Sequence, residues 1–122
     1  MAQQAEKLAR EWFRLWETGE FLDLPITEDF VHISPYGTIQ GKKAYLDLVE
    51  ANKDKFLGHS FEIHDLISNQ DKVCIRYTAL KSDFTLEVTE WHYVRDNLIH
   101  KIVAYYNIEG EIKEDRKLSI PE

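Results

Sequence analysis

A carboxylate and an imidazole stand two residues apart in the most apolar part of the sequence. Glu90 and His92 lie in the segment 84–95, whose alternating pattern predicts a β-strand. Because successive strand residues point to opposite faces, both side chains share a face with the apolar Val88 and Val94. A charge in an apolar row is costly unless it is paired or reached by water. A Glu beside a His is also an acid–base unit, since the carboxylate orients the ring and raises its basicity.

Three helical segments are predicted before residue 58. Apolar residues recur at helical spacing over 3–18, and Gly19 is well placed to end that helix. A short second helix or turn over 21–24 is interrupted by Pro25. The third helical segment is predicted over 41–56, with Gly58 at its end. Its predicted buried side is Ala44, Tyr45, Leu48, Val49, Asn52 and Phe56.

Four long strands are predicted after residue 58, where the apolar pattern changes from helical spacing to period two. Turns are predicted at 69–71 and at Asp96–Asn97, since Asn tolerates the positive φ that tight turns demand. The predicted strands cover 30–35, 38–40, 59–68, 72–81, 84–95 and 98–107. Helices gathered on one face of such an antiparallel sheet give an α+β layer fold.

Composition narrows the function classes. The chain of 122 residues predicts one domain over 1–122, with a core of about 5–108 and a charged tail, 109–122, that is mobile or packs lightly outside. A net charge of −7 argues against nucleic-acid binding. The sequence shows no signal peptide and no membrane span. The single Cys74 fits a reducing setting, so we expect a cytoplasmic protein.

Three stretches of the sequence resemble the nuclear-transport-factor-2-like superfamily, nearest its SnoaL-like branch. They are AREWFRLWETGEF, DFVHISPYGTIQG and EWHYVRDNLIHKIVAYYN, in the order and spacing of that family. The resemblance covers about residues 5 to 108. It implies a curved antiparallel sheet wrapped around N-terminal helices, forming a cone with an apolar cavity. It also implies pairing as a homodimer through the outer face of the sheet. The fold hosts several unrelated activities and noncatalytic modules, so it does not name one.

Ketosteroid isomerases are the most useful members of that superfamily for comparison. Their general-base Asp precedes a Pro-x-Gly turn, and here Ser34 stands before that turn. Their two oxyanion donors, a Tyr and a protonated Asp, fall on Trp12 and Glu90. A serine cannot take a proton from carbon near neutral pH, so we expect no isomerase of the usual mechanism. The Asp-Arg-Asp relay of the related epoxide hydrolases is also missing, because Cys74 and Thr78 flank Arg76.

The same resemblance gathers candidate site residues inside the cone. It carries Glu90 inward, strand alternation carries His92 with it, and His32 would share the cavity as a third catalytic candidate. The predicted ligand-binding residues are Trp12, Trp16, Ser34, Ile102 and Tyr106. No cofactor is expected, and no metal, because the five histidines show no metal-ligand spacing.

The opposite face of the same strands carries Trp91, Tyr93 and Tyr105. In a monomer these rings would form an exposed aromatic patch, and such patches usually mark an interface. We therefore predict a homodimer through this face.

Three functions remain open from the sequence. The first is an isomerase, cyclase or dehydratase that acts on a compact hydrophobic substrate through Glu90 and His92, with His32 or Ser34 assisting. The second is a binding module that holds a hydrophobic small molecule without turnover. The third is a dimeric interaction domain. Structural explanations also stand, in which Glu90 and His92 pair in an inert core, His32 caps a backbone carbonyl, and Ser34 is a turn residue.

Overall fold

Helix α1, Ala2–Thr18, carries the apolar stripe that covers the sheet. The computed structural model of the protein describes residues 2–82 and 84–107. Gly19 follows α1 with a φ of +85°, which a left-handed helix end requires. A short 3₁₀ helix, Phe21–Asp23, comes next. The residues of α1 buried in the core are Ala5, Leu8, Ala9, Trp12, Phe13, Leu15 and Trp16.

Six strands form one sheet in the order β2-β1-β6-β5-β4-β3. Asp96 and Asn97 both have positive φ, as the predicted tight turn between the last two strands requires. Shifts in register, for example between Tyr93 and Val94, mark irregularities that bend strands, and the sheet is curved and unclosed. The strands are β1 Ile26–Ser34, β2 Gly37–Gln40, β3 Ser60–Ser68, β4 Lys72–Lys81, β5 Phe84–Arg95 and β6 Leu98–Tyr105.

The sheet is mixed, whereas the sequence predicted an antiparallel one. β3 to β6 are antiparallel as expected, but β1 pairs with β6 in parallel, with His32 opposite Ile102. Tight turns indicate antiparallel pairing only between strands that follow one another. β1 and β6 are far apart in the chain, so no local sequence pattern indicates whether they pair in a parallel or an antiparallel way.

Two predicted elements differ most from the structure. β1 begins at Ile26 rather than at residue 30. The sequence prediction began too late because the polar stretch before Phe30 resembles a turn. In the structure Ile26 is buried and pairs with Ile99. The predicted helix over 41–56 is divided into α2, Lys42–Ala51, and α3, Lys53–Phe56.

Asn52 lies at that division. It is buried, and its side-chain amide donates to the carbonyl oxygen of Leu48 at 2.8 Å, a local bond that competes with helical geometry. Ala44, predicted on the buried side, is exposed.

Within the part of the chain that the structure describes, no helix is long and apolar enough to cross a membrane. The predicted tail, 109–122, lies outside the described residues.

Candidate functional site

Glu90 and His92 meet on the inner face of β5, where the sequence predicted them. The His92 Nε2 atom lies 2.8 Å from Glu90 Oε1, and the Tyr77 hydroxyl donates to Glu90 Oε2 at 2.8 Å. Glu90 is 4% exposed and His92 is 0% exposed. Tyr77 comes from the neighbouring β4, two residues along from Ile75, which pairs with Glu90. The three side chains therefore form one buried hydrogen-bonded cluster.

Glu90 is held as a carboxylate in this cluster. Burial by itself would raise its pKa, but the bonds from His92 and Tyr77 and the nearby His32 hold the pKa below the ordinary value. Because an ionised carboxylate only accepts hydrogen bonds, the His92 Nε2 atom must carry the proton that it shares. Glu90 is therefore an acceptor, whereas the resemblance to ketosteroid isomerases implied a protonated donor at this position.

The second ring nitrogen of His92 has no hydrogen-bond partner within residues 2–82 and 84–107. This Nδ1 atom is buried, and the ring lies against Trp12 at 5.7 Å and Phe13 at 5.9 Å between centroids. In the Nε2–H tautomer this nitrogen carries a lone pair. Such a lone pair can accept a hydrogen bond or a proton.

His32 lies on β1, two strands from His92, with Ile102 between them on the same face. It is half-buried, and its ring stacks on Tyr45 of α2 at 5.1 Å. Burial lowers the pKa of His32 to about 4, with a smaller opposing effect from Glu90. His32 is therefore a neutral ring near neutral pH.

Ser34 and Tyr106 are half-buried beside this part of the sheet. The Ser34 hydroxyl accepts a hydrogen bond from the backbone N–H of Tyr36 at 3.2 Å, which agrees with its interpretation as a turn residue. Burial raises the pKa of Tyr106 to about 12, and a hydrogen bond with Ser34 partly opposes that shift. The Tyr36 and Tyr106 rings lie 5.9 Å apart.

The other predicted ligand-binding residues are core residues in this structure. Trp12 contacts the His92 ring and is 4% exposed, and Ile102 is fully buried. Trp16 lies farther from the cluster, with its ring against Phe21 and Phe56. Their role toward a ligand stays a prediction.

Tyr77 and Tyr45 were missed as site residues by sequence reasoning. Tyr77 occupies an inward position on a strand already predicted, but the strand pattern gave no partner for its hydroxyl. Tyr45 was assigned to the buried side of a helix. Burial, with the nearby Glu90 charge, raises the pKa of both phenols well above its ordinary value.

The three aromatic residues predicted on the outer face of the sheet differ in their exposure. Trp91 and Tyr105 are exposed, at 36% and 61%. Tyr93 is half-buried between two ammonium groups, with the Lys101 Nζ atom 5.0 Å and the Lys72 Nζ atom 5.9 Å from its ring centroid.

A depression of about 480 Å³ lies at one end of β5, and none of the predicted site residues lines it. Its lining residues are Thr85, Leu86, Glu87 and Asn107. The inner face at His92 is instead packed with aromatic rings. No group of three or more His, Cys, Asp or Glu side chains among the described residues could hold a metal ion.

A family model described as a SnoaL-like domain matches residues 9–103 of the chain. A comparison with curated proteins gave no match. Among solved structures, a candidate ketosteroid isomerase from Kribbella flavida is 17% identical with a TM-score of 0.75, and the match covers 95% of this chain and 87% of that one.

Two further structures show the same fold. A LEH-like epoxide hydrolase from M. tuberculosis is 16% identical with a TM-score of 0.71, over 87% of this chain and 84% of that one. A SnoaL-like protein of unknown function from Burkholderia thailandensis is 21% identical with a TM-score of 0.67, over 88% of this chain and 97% of that one. At such identities the likeness concerns the fold.

Proposed function

Since this chain belongs to the SnoaL-like domain family, we propose that its buried Glu90–His92 pair transfers a proton on a compact, largely apolar small molecule. The observation that carries the proposal is the His92 Nδ1 atom, which has no partner in the described part of the chain and whose opposite nitrogen is fixed by Glu90. A carboxylate that orients an imidazole and leaves its other nitrogen free is the arrangement of a general base.

The proposed step is proton abstraction beside a carbonyl group. The lone pair of His92 Nδ1 forms a bond to the proton, and the electrons of the broken C–H bond form the double bond of an enolate. The carbonyl oxygen takes up the negative charge. Glu90 stabilises the resulting imidazolium through the hydrogen bond at 2.8 Å. Return of the proton to another carbon completes an isomerisation, and return to a departing hydroxyl completes a dehydration.

The surroundings of the pair support an apolar reactant. The His92 ring contacts the rings of Trp12 and Phe13, and neither ring forms a hydrogen bond to its Nδ1 atom. The inner face becomes partly exposed on the β1 side, where His32, Ser34 and Tyr106 are half-buried. A molecule that enters from this side would displace packed side chains rather than ion-paired ones.

The test is deuterium incorporation into 2-tetralone and cyclohexanone in D₂O, followed by proton NMR. Wild type is expected to exchange the α-protons of at least one ketone faster than buffer does. His92→Gln removes the base, so the exchange rate should fall about 100-fold or more, the usual contribution of a positioned base.

Two controls make this test selective. His100→Gln changes a half-buried histidine of β6 that the mechanism does not use, and it should retain the wild-type rate. Circular dichroism of His92→Gln shows whether the fold survives. Exchange that is no faster than buffer with both ketones, or a His92→Gln rate equal to that of wild type, would contradict the proposal.

The outer face of the sheet favours a second candidate function, assembly with a second copy of this chain. One apolar row crosses five strands in register, and its end residue Ile67 is 75% exposed while Trp91 is 36% exposed. From β3 to β1 the row consists of Ile67, Cys74, Trp91, Val103 and Ile33.

The charges beside this row support a two-fold arrangement. Lys72 and Lys101 flank Tyr93 on one side of the row, and Glu62 and Glu87 lie on the other side. Antiparallel pairing of two copies brings the basic end of one face to the acidic end of the other.

Sedimentation analysis tests this assembly. Trp91→Glu places a charge in the apolar row, so it should convert a dimer into a monomer. Leu22→Glu adds the same charge at a residue of the 3₁₀ helix that is 65% exposed, and it should leave the dimer intact. A monomeric wild type would contradict the assembly.

A further inference from the structure

Glu90 is bound by a phenol and an imidazole rather than by a lysine or an arginine. Its bonded partners are the Tyr77 hydroxyl and the His92 ring, and no lysine or arginine of residues 2–82 and 84–107 forms an ion pair with it. All four described arginines pair with surface carboxylates instead. The pairs are Arg10–Glu6, Arg14–Glu11, Arg76–Asp65 and Arg95–Asp29.

The titratable groups around Glu90 do not offset its charge either. Burial raises the pKa of Tyr45 and Tyr77 well above the ordinary value, so both stay protonated and neutral. Burial lowers the pKa of His32 to about 4, so this ring is neutral at pH 7. With His92 neutral, as a proton acceptor must be, the inner face therefore holds one net negative charge in surroundings of low polarity.

From this arrangement we infer that the site takes uncharged molecules that carry an O–H or N–H donor, and that it rejects carboxylates and phosphates. The inference rests on the proposed function, because it assumes that a ligand reaches His92. A donor on the ligand would satisfy the Nδ1 atom, which has no partner among the described residues. An anion would meet both a lone pair and the Glu90 carboxylate, and each repels it.

The size of the discrimination follows from the Coulomb energy. Two unit negative charges about 6 Å apart, at an effective dielectric constant of about 20, disfavour binding about 100-fold. Removal of the Glu90 charge should remove most of this factor, whereas changes that keep the charge should not.

The test compares 2-naphthol with 2-naphthoate at pH 7 by isothermal titration calorimetry. The two probes share a ring system, and 2-naphthol is a planar mimic of the enol of 2-tetralone. Wild type should bind 2-naphthol about 100 times more tightly than 2-naphthoate. Glu90→Gln should reduce this ratio to below about 10, since a neutral amide replaces the carboxylate.

Glu90→Asp is the matched control, because it shortens the side chain by one methylene and keeps the carboxylate charge. It should preserve the preference for 2-naphthol. Equal binding of both probes to wild type would overturn the inference, and so would an unchanged ratio in a folded Glu90→Gln variant. Failure of both probes to bind would overturn it as well.

These outcomes are separable from those of the proposed function. Deuterium exchange that depends on His92, together with equal binding of the two probes, rejects the charge selectivity alone. A clear preference for 2-naphthol without any exchange rejects the catalysis and keeps the selectivity.

Discussion

Three neighbouring side chains stabilise the negative charge of the buried Glu90 carboxylate. Tyr77 and His92 each donate a hydrogen bond of 2.8 Å, and His32 lies near enough to influence its pKa. A buried carboxylate without such donors would instead become protonated. The chemistry of the site therefore depends on single hydrogen bonds, and each can be removed by a conservative substitution.

Tyr77→Phe should destabilise the protein by about 1 to 3 kcal/mol, because it leaves one oxygen of a buried carboxylate unsatisfied. Urea unfolding measures the change. Tyr105→Phe removes the same atom from a side chain that is 61% exposed, and its effect should stay within about 0.5 kcal/mol. Equal effects of the two variants would indicate that the bond to Glu90 contributes nothing.

Stability should fall as the pH is lowered from about 6.5 to about 4 because of His32. The pKa of His32 is lowered from 6.5 to about 4 by burial, so in this range the unfolded chain binds a proton that the folded protein does not. The loss of stability caused by His32 begins as the pH falls below about 6.5, and it levels off below about pH 4.

Urea midpoints measured between pH 4 and pH 8 check this expectation. His32→Gln removes the titrating group and should flatten the curve above pH 4.5. Glu90 acts in a different range, because its lowered pKa makes its contribution fall away only below about 4.5. A His32→Gln curve as steep as that of wild type would exclude His32 as the source.

At the scale of elements, the hairpin of β5 and β6 holds the site in register. Its turn fixes Tyr93 opposite Lys101 and His92 opposite Ile102. A slip by one residue would turn Glu90 and His92 outward, since strand side chains alternate. The turn residues are therefore as important to the site as the residues in contact with it.

Asn97→Gly should stabilise the hairpin, and Asn97→Val should destabilise the protein by about 1 to 2 kcal/mol. The φ of Asn97 is +63°, a conformation that costs a β-branched residue much more than glycine. Urea unfolding of both variants measures the difference. Equal stability of the two variants would mean that the turn does not hold this conformation in solution.

At the scale of the whole molecule, the two faces of the sheet carry different side chains. The inner face packs against α1 and holds the Glu90 cluster, and the outer face bears the apolar row with charges on either side. If two copies pair through the outer face in an antiparallel way, attraction between the basic end of one copy and the acidic end of the other should determine their relative orientation.

A charge exchange tests that orientation. Lys101→Glu or Glu87→Lys alone should weaken the dimer, because each places like charges opposite one another. The double variant should recover much of the lost affinity. Sedimentation at 0.05 M and 0.5 M NaCl should also show weaker association of wild type at high salt, since screening reduces these attractions. Absence of any recovery in the double variant would contradict the antiparallel arrangement.

Sequence periodicity determined the local structure of this protein. The alternation over 84–95 placed Glu90 and His92 on one face, and the Asp96–Asn97 turn followed from the tolerance of these residues for positive φ. The family model and the solved structures confirm the family and the cone fold that three sequence stretches indicated. These features are local or are carried by ordered motifs, so one sequence suffices for them.

Tertiary structure decided the relations between distant segments. The parallel pairing of β1 with β6, the bond from Tyr77 to Glu90 and the stack of His32 on Tyr45 join residues with no local pattern in common. The ionised state of Glu90 depends on these contacts too, because burial and bonding oppose each other there. Such a balance is determined by the three-dimensional surroundings of the group, and residue spacing alone does not contain it.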